Sequence, residues 1–288
     1  MNIIRTIKEM KELLKTNQGK TIGFVPTMGY LHEGHLSLVR EAEKENDIVV
    51  MSIFVNPLQF GPNEDFDRYP RDEERDAQLA KETGVDILFI PDVKEMYPEK
   101  MGVKMSIQKG TDVLCGKSRP GHFDGVITVL TKLFHIVEPT KAYFGLKDAQ
   151  QFAVVNTLVK ELNFPLQLIG LPTVREADGL AKSSRNVNLS PEERKEATSI
   201  YSSLKIGQKI IVDGIKNTDT IIKEVKNFLQ KSTNGTIDYV ELLSFPSLEK
   251  ITHVNETVIL AVAVQYERAR LIDNIILDSN GQQIDRIE

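Results

Sequence analysis

The sequence predicts an α/β protein, with a Rossmann-like parallel sheet domain over residues 1–175 and a smaller α+β carboxy-terminal domain over residues 176–288. In the first part, short apolar runs alternate with helical patterns, as parallel strands joined by crossover helices require. The runs "DIVVMSIFV" and "VDILFIP" are apolar on both faces, which is typical of central parallel strands. In the second part, helical stretches come before neighbouring β-rich runs, which favours an antiparallel sheet. We place the boundary near "TVREADG".

The spacing of the apolar residues predicts the individual elements. Helical spacing in "MNIIRTIKEMKELLK", for example, predicts a first amphipathic helix. The elements predicted for the first domain are helix 3–16, strand 21–25, helix 35–45, strand 48–55, helix 71–83, strand 85–90, helix 123–137, strand 141–145, helix 148–162 and strand 166–171. Those predicted for the second are helices near 191–213 and 218–231 and the strands "TIDYVELLS", "TVILAVAVQY" and "ARLIDNIIL". Parallel sheets bind ligands at the carboxyl ends of strands where the strand order reverses, so the loops after the strands form the candidate site.

Composition is that of a soluble globular protein, since 41% of the residues are hydrophobic and 27% are charged. The formal net charge of -5 offers no basic face for general nucleic-acid binding. The single cysteine, Cys115, cannot form an internal disulfide, so we expect a reducing compartment and take the cytoplasm as the default. The charged amino terminus is unlike a signal peptide, and no apolar run approaches the ~18 residues of a membrane span, so we expect neither export nor membrane insertion.

The stretch "TMGYLHEGH", residues 27–35, lies where a predicted strand leads into a helix. Gly29 and Gly34 flank a turn, and Gly34 would let the backbone approach a ligand at the start of the helix. Free N–H groups and the helix dipole attract phosphate at such a position. His32 and His35 are three residues apart and would project to one side, where both could face a triphosphate.

Two other interpretations of this histidine pair stay open. Paired histidines are common zinc ligands, but a zinc site needs three or four ligands, and "HEGH" lacks the H-E-x-x-H spacing. The remaining histidines, His122, His135 and His253, are scattered along the chain, so we predict no protein-held metal. The pair could also simply cap or line the end of a helix.

Polar side chains follow two further predicted strands. "FVNPLQFGPNEDFDRYPRD" contains Asn56 and Gln59, whose amides suit a small substrate with hydroxyl and carboxylate groups, although both also fit ordinary turn positions. "YFGLKDAQQF" contains Gly145, which permits close backbone approach, Lys147, which supplies a charge for phosphate, and Gln151, which lies one helical turn further on. These loops are expected to share an edge of the sheet with the histidine pair.

A fourth candidate segment, "READGLAKSSRN", lies at the predicted junction of the two domains. Lys182, Ser183, Ser184 and Arg185 place two cations and two hydroxyls together, which suits the negative charge of a phosphoryl or adenylyl transfer. A charge run of this kind is often a solvated loop, but at a hinge it could close over a nucleotide.

The segment "GTDVLCGKS" resembles a P-loop without matching it. The motif needs four residues between its glycines, and this segment has five. Pro120 and Gly121 follow where a helix should begin, so we expect no phosphate cradle here.

Taken together, "PTMGYLHEGH", "SIFVNPLQFGPNEDFDRYPR", "GHFDGVITVLTKLF", "FGLKDAQQ" and "READGLAKSSRN" closely resemble the pantothenate synthetases, the pantoate–β-alanine ligase family. The segments occur in the family's order and cover most of residues 20–190. "HEGH" is also similar to the HxGH signature of the wider nucleotidylyltransferase and class I aminoacyl-tRNA synthetase group, and "KSSR" to its mobile lysine–serine signature.

The resemblance implies a homodimeric, ATP-dependent ligase whose smaller carboxy-terminal domain is a lid. It implies three small-molecule substrates, ATP, pantoate and β-alanine, which react through pantoyl adenylate with release of pyrophosphate and AMP. Mg²⁺ is expected to be carried on the ATP phosphates, and no protein ligand for it can be named.

The resemblance also assigns roles to matching residues. Contacts to ATP are implied for Met28, Gly29, Tyr30, Leu31, His32, Glu33, Gly34, His35, Gly145, Leu146, Lys147, Asp148, Val174, Lys182, Ser183, Ser184 and Arg185. His35 is implied as the catalytic proton donor, with His32 and Lys147 as the other catalytic residues. Gln59 and Gln151 are implied to bind pantoate, and Gln59 also borders the β-alanine site.

The roles of four positions are less specific or depart from the family pattern. Asn56 and Tyr69 are implied only to lie near the substrate and the pyrophosphate. Tyr30 stands where a small residue is usual in the family. Lys182 stands where many members carry an apolar residue. The resemblance therefore leaves open whether its side chain contacts phosphate or only its backbone does.

Two alternative functions also fit the sequence. A nucleotidylyltransferase would use the same kind of strand–loop–helix site but stop after transferring AMP to a phosphate-bearing acceptor. A nucleotide-sensing or RNA-binding module would keep the fold without the chemistry. The negative charge argues against RNA, and the presence of both histidines, Lys147 and the serine pair argues against an inactive site.

Overall fold

The computed structural model of the chain describes residues 1–61 and 66–288. Its strands are β1 (Asn2–Ile4), β2 (Ile22–Thr27), β3 (Ile48–Ile53), β4 (Ile87–Phe89), β5 (Lys141–Gly145), β6 (Gln167–Leu171), β7 (Thr236–Ser244), β8 (Val258–Gln265) and β9 (Arg270–Leu277). Its α-helices are α1 (Ile7–Lys15), α2 (Glu33–Glu45), α3 (Glu73–Glu82), α4 (Val93–Met96), α5 (Leu114–Ser118), α6 (His122–Val137), α7 (Ala149–Glu161), α8 (Pro191–Glu196), α9 (Thr198–Val212) and α10 (Thr218–Ser232). Short 3₁₀ helices span Pro57–Gln59, Leu146–Asp148 and Ser184–Asn188.

The first six strands form one parallel sheet in the order β1-β4-β3-β2-β5-β6. From β2 the chain proceeds outward through β3 to β4 on one side, and it later builds β5 and β6 on the other. The strand order therefore reverses between β2 and β5, and a crevice is expected at the carboxyl ends of these two strands. Their carboxyl ends are Thr27 and Gly145, directly before the predicted histidine and lysine loops.

The last three strands form an antiparallel sheet, β7-β8-β9, which packs against α9 and α10 through an apolar core. The prediction of a Rossmann-like parallel sheet followed by a smaller α+β part is thus confirmed. The opposite face of this sheet contributes Ile259, Ala261 and Ile276 to the core that contains α6 and α7. The two sheets are consequently joined by buried apolar contacts, and the boundary near residue 175 stays a prediction.

Two of the predicted helices differ in the structure, and the short helices α4 and α5 were not predicted. The predicted helix 3–16 begins only at Ile7, because Thr6 and Glu9 form a capping box there. The residues before it, Asn2–Ile4, pair with β4 as an edge strand instead. The predicted helix 191–213 is divided at Ala197 into α8 and α9.

Candidate functional site

A cavity lies at the crevice between β2 and β5, and all four predicted segments contribute to its wall. The predicted residues that line it are Met28, His32, Gly34, His35, Gln59, Gly145, Lys147, Asp148, Gln151, Val174, Lys182, Ser183, Ser184 and Arg185. The fold explains this convergence, since the loops after β2, β3 and β5 leave the sheet at the same edge.

The histidine pair is held by hydrogen bonds within its own loop. His32 is the N-cap of α2, and its Nδ1 accepts the backbone N–H of Gly34 at 3.1 Å. His35 Nδ1 accepts the backbone N–H of His32 at 3.4 Å, and the two rings stack with centroids 4.0 Å apart. Because both Nδ1 atoms accept, the proton of each neutral ring is on Nε2.

The surroundings of the pair favour uncharged imidazoles. Burial, followed by the nearby positive charge of Lys147, lowers the pKa of His32 to about 4. Burial, followed by His32 and Lys147, lowers the pKa of His35 to about 3. Near neutral pH both rings are therefore neutral, and each offers its Nε2–H as a hydrogen-bond donor.

Other residues of the first loop lie away from the cavity wall. Leu31 is fully buried in the core formed with α2 and the sheet. Glu33 forms an ion pair with Arg40 on the outer face of α2. The guanidinium carbon of Arg75 lies 5.4 Å from the ring centroid of Tyr30.

Gly29 and Leu146 are also outside the cavity wall, although the resemblance implied contacts to ATP for both. Gly29 adopts a left-handed conformation with a φ of 83° in the turn before the histidines. Leu146 is buried in the apolar core beside α6 and α7. Neither Leu31 nor Leu146 thus presents its side chain to the cavity.

Gln59 reaches the wall with support from Asn56, which is buried behind it. Asn56 Nδ2 donates to Gln59 Oε1 at 3.2 Å and to the carbonyl of Gly125 at 3.0 Å. The Tyr97 hydroxyl donates to Asn56 Oδ1 at 2.9 Å, and Gln59 Nε2 approaches Met28 Sδ at 2.9 Å. The quoted loop continues through residues 62–65, which lie outside the described residues, and Tyr69 beyond them lines the cavity.

The lysine loop after β5 is supported from the second sheet. Asn274 on β9 donates through Nδ2 to the carbonyl of Leu146 at 3.0 Å and to that of Lys147 at 2.8 Å. Asn274 is buried, so these bonds link the antiparallel sheet directly to the turn that presents Lys147 and leads to Gln151.

The fourth segment is anchored by a buried ion pair. Arg175 donates two hydrogen bonds to Asp273 on β9, at 2.6 and 3.0 Å, and its guanidinium lies 3.6 Å from the ring centroid of Tyr201. The backbone N–H of Lys182 donates to the carbonyl of Val174 at 2.9 Å. This bond brings the residues after the turn back beside Val174 in the cavity wall. The Lys182 ammonium lies 3.4 Å from Glu176.

Arg119 and His122 also line the cavity, and sequence reasoning missed both. His122 Nδ1 lies 2.8 Å from the carbonyl of Gln59 and must donate to it, so its Nε2 accepts from Arg119 Nη1 at 3.1 Å. The sequence signal that could have identified His122 is its position in "GHFDG", at the start of a buried helix. The residues before that segment served only to reject a P-loop.

The rejected P-loop is packed closed in the structure. A Cβ added to Gly116 would lie 2.3 Å from the carbonyl oxygen of Thr111, so the chain passes directly over this glycine. Leu114–Ser118 form a single short helical turn there. The geometry therefore leaves no open loop to surround a phosphate.

Positive charge predominates in the cavity wall. The described wall residues include Arg119, Lys147, Lys182 and Arg185 as cations and Asp148 as an acid. With two neutral N–H donors from the histidines, this arrangement suits a polyanion such as a chain of phosphates. The amide groups of Gln59 and Gln151 add donors and acceptors for a smaller polar molecule.

Comparison with known proteins decides the family. A sequence model of the family described as pantoate-beta-alanine ligase matches residues 2–276. The chain belongs to the pantoate–β-alanine ligase family. A relative from Geobacillus sp. (strain WCH70), "Pantothenate synthetase", is 59% identical over 280 residues, which cover 96% of this chain and 99% of that protein.

Solved structures of the pantoate–β-alanine ligase family share the fold. The pantothenate synthetase from Thermus thermophilus has a TM-score of 0.91 and 45% identity, over 97% of this chain and 99% of that one. The ligase from Francisella tularensis, described as complexed with "Beta-gamma ATP and Beta-alanine", has a TM-score of 0.77 and 35% identity, over 96% of this chain and 97% of that one.

This chain is accordingly an enzyme, a ligase of pantothenate biosynthesis. Among the described residues, every helix is too short or too polar to traverse a lipid bilayer.

Proposed function

We propose that this ligase condenses pantoate with β-alanine in two steps, through pantoyl adenylate, at the cavity between β2 and β5. The observation that carries the proposal is the meeting of the histidine pair, Lys147 and the Ser183–Arg185 segment in one wall. The complex of the Francisella relative with an ATP compound and β-alanine supports two of the substrates.

In the first step, a carboxylate oxygen of pantoate attacks the α-phosphorus of ATP, and the bond to the bridging oxygen breaks to release pyrophosphate. Negative charge grows on the α-phosphate and the leaving group, so the enzyme must position the reactants and compensate this charge. The Nε2–H groups of His32 and His35 donate to the phosphates, while Lys147 and Arg185 supply positive charge. Bound polyphosphate raises the pKa of both imidazoles, and His35, once protonated, gives its Nε2 proton to the leaving pyrophosphate.

In the second step, the neutral amine of β-alanine attacks the acyl carbon, the acyl carbon–oxygen bond breaks and AMP leaves. The nitrogen releases one proton to water as the amide forms. A free carboxylate resists this attack because oxide is a poor leaving group, whereas AMP is a good one. Gln59 and Gln151 hold pantoate through its hydroxyl and carboxylate groups, and Gln59 also borders β-alanine. The buried amide of Asn56 orients Gln59 for both contacts.

We expect Mg²⁺ to enter with ATP, carried on its phosphates. Among the described residues, no group of three or more His, Cys, Asp or Glu side chains could hold a metal ion. When bound to the phosphates, Mg²⁺ neutralises part of their charge. A homodimer, a cytoplasmic location and the closure of residues 176–288 as a lid stay predictions.

Exchange of labelled pyrophosphate into ATP tests the first step. With pantoate and without β-alanine, we expect rapid exchange, because adenylation is reversible in the absence of the amine. A nucleotidylyltransferase of another specificity would show no pantoate-dependent exchange, and that result would contradict the proposal. Calorimetric binding of ATP without turnover of pantoate would instead support a nucleotide-sensing module.

A further inference from the structure

A carboxylate on α3 holds the turn that precedes the histidine pair. Asp76 Oδ2 accepts the backbone N–H of Tyr30 at 2.6 Å, and its Oδ1 accepts that of Leu31 at 2.7 Å. The side chain of Asp76 is only 2% exposed. Hydrogen bonds from two consecutive amides to one buried carboxylate are short and charge-assisted, so they fix the turn strongly.

The turn held by Asp76 has an unfavourable backbone conformation. Gly29 and Tyr30 both have positive φ angles, 83° and 51°. Tyr30 is not glycine, so this left-handed conformation costs free energy that the surroundings must offset. A Cβ at Gly29 would lie 3.0 Å from Asp76 Oδ2 and 2.9 Å from Ile53, so the glycine also makes room for the carboxylate.

The neighbouring Arg75 completes the contact. Its Nη2 donates to the carbonyl of Leu31 at 3.1 Å, and its guanidinium lies over the ring of Tyr30. Both polar backbone groups of Leu31 are therefore held by consecutive residues of α3. The next residue, His32, begins the hydrogen bonds that orient both imidazoles.

We propose that Asp76 is a positioning residue for the reaction, which fixes the turn at Tyr30–Leu31 so that the Nε2 atoms of His32 and His35 face the cavity. Burial raises the pKa of the Asp76 carboxyl, which means that the surroundings disfavour its charged form. Groups kept in unfavourable surroundings are more common at functional sites than elsewhere.

The test compares Asp76→Asn with Asp72→Asn, a change of the same kind one turn earlier on the same helix. Asp72 caps α3 through the N–H of Arg75, and asparagine is an equally good N-cap. In Asp76→Asn the amide nitrogen meets a backbone N–H, so one of the two bonds is lost. Gly29→Ala displaces the turn without changing any charge.

The first readout is nitrogen NMR of the histidine rings in the free enzyme, which reports the tautomer of each ring. We expect the parent and Asp72→Asn to show the Nε2–H form at His32 and His35, and Asp76→Asn and Gly29→Ala to show mixed forms. This readout requires no substrate, so it decides the role of Asp76 even if the proposed function fails. Unchanged ring signals in Asp76→Asn would overturn the inference.

The second readout is steady-state kinetics, which rests on the proposed function. Misplacement of catalytic groups by about 1 Å costs roughly 100-fold in rate. We expect kcat to fall ~10- to 100-fold in Asp76→Asn and Gly29→Ala, with KM for pantoate within about threefold of the parent. A kcat within twofold of the parent in a folded Asp76→Asn enzyme would also overturn the inference.

Discussion

The backbone N–H of His32 points to Nδ1 of His35, while Nδ1 of His32 in turn accepts the N–H of Gly34. Each ring therefore uses one nitrogen to hold the first turn of α2 and leaves the other for the cavity. A helix start that is capped by imidazoles combines structural and chemical roles in the same side chains.

Replacement of His35 separates these two roles. His35→Ala should lower the rate of pantoate-dependent pyrophosphate exchange by ~100-fold or more, the usual scale for one positioned acid–base or charge-stabilising group. His35→Asn keeps an acceptor near the position of Nδ1 but lacks the Nε2–H, so it should be as slow while remaining more stable. Exchange within threefold of the parent in both variants would show that His35 has no such role.

The histidine pair should also make stability depend on pH. In the unfolded chain the imidazoles bind protons with pKa values near 6.5, whereas in the folded enzyme the pKa is about 4 for His32 and about 3 for His35. The unfolded state thus binds more protons between these values, and the free energy of unfolding falls as pH is lowered from 6.5 toward 4.

Urea unfolding at pH 7 and pH 4.5 measures this dependence. The double variant His32→Asn/His35→Asn lacks both groups and should lose a smaller share of its stability over this interval than the parent. Equal losses in the two proteins would mean that the imidazoles titrate normally.

The ion pair between Arg175 and Asp273 should be important for stability. Both side chains are largely buried, with 14% and 3% exposure, so Asp273→Asn leaves an uncompensated buried charge and should cost about 3–5 kcal/mol. The exposed pair between Arg194 and Asp178 is a control, and Arg194→Gln should cost about 1 kcal/mol or less. Urea unfolding that gives similar values for both variants would contradict this difference.

Asn274 should affect nucleotide binding although it lies on the second sheet. Asn274→Ala leaves two carbonyls of the lysine loop without their partner, which should cost about 1–3 kcal/mol of stability and raise KM for ATP through a displaced Lys147. Asn46→Ala, at the carboxyl end of α2, also removes two hydrogen bonds, to the carbonyl of Ala42 and to the hydroxyl of Tyr143 on β5. Only the first variant should alter KM for ATP, and an equal KM in both would contradict the role of Asn274.

Local sequence signals were sufficient for five of the six strands of the parallel sheet and for the loops that carry the candidate site. Alternating elements predicted a parallel sheet, although not its strand order, and the glycines at 29 and 145 indicated where the backbone turns at strand ends. The strand Asn2–Ile4 was missed because three residues are too few to show a period, and the adjoining helical pattern extended over them.

The supporting residues could not be predicted because their partners are distant in sequence. Asp76 contacts a turn 45 or 46 residues away, and Asn274 contacts a loop 127 or 128 residues away. Each looks like an ordinary helix or strand residue when considered alone. Arg119 was missed for a similar reason, because its contact with the carbonyl of Gln59, 60 residues away in sequence, arises only when the start of α6 packs beside the loop after β3.

The route of one oxygen atom tests the two-step reaction most directly. If pantoate labelled with ¹⁸O in its carboxylate is condensed with β-alanine, the attacking oxygen should remain on phosphorus when the acyl bond breaks. Mass spectrometry should then find one labelled oxygen in each AMP released. Unlabelled AMP, or label in inorganic phosphate together with ADP, would contradict the adenylate and the account of the site built on it.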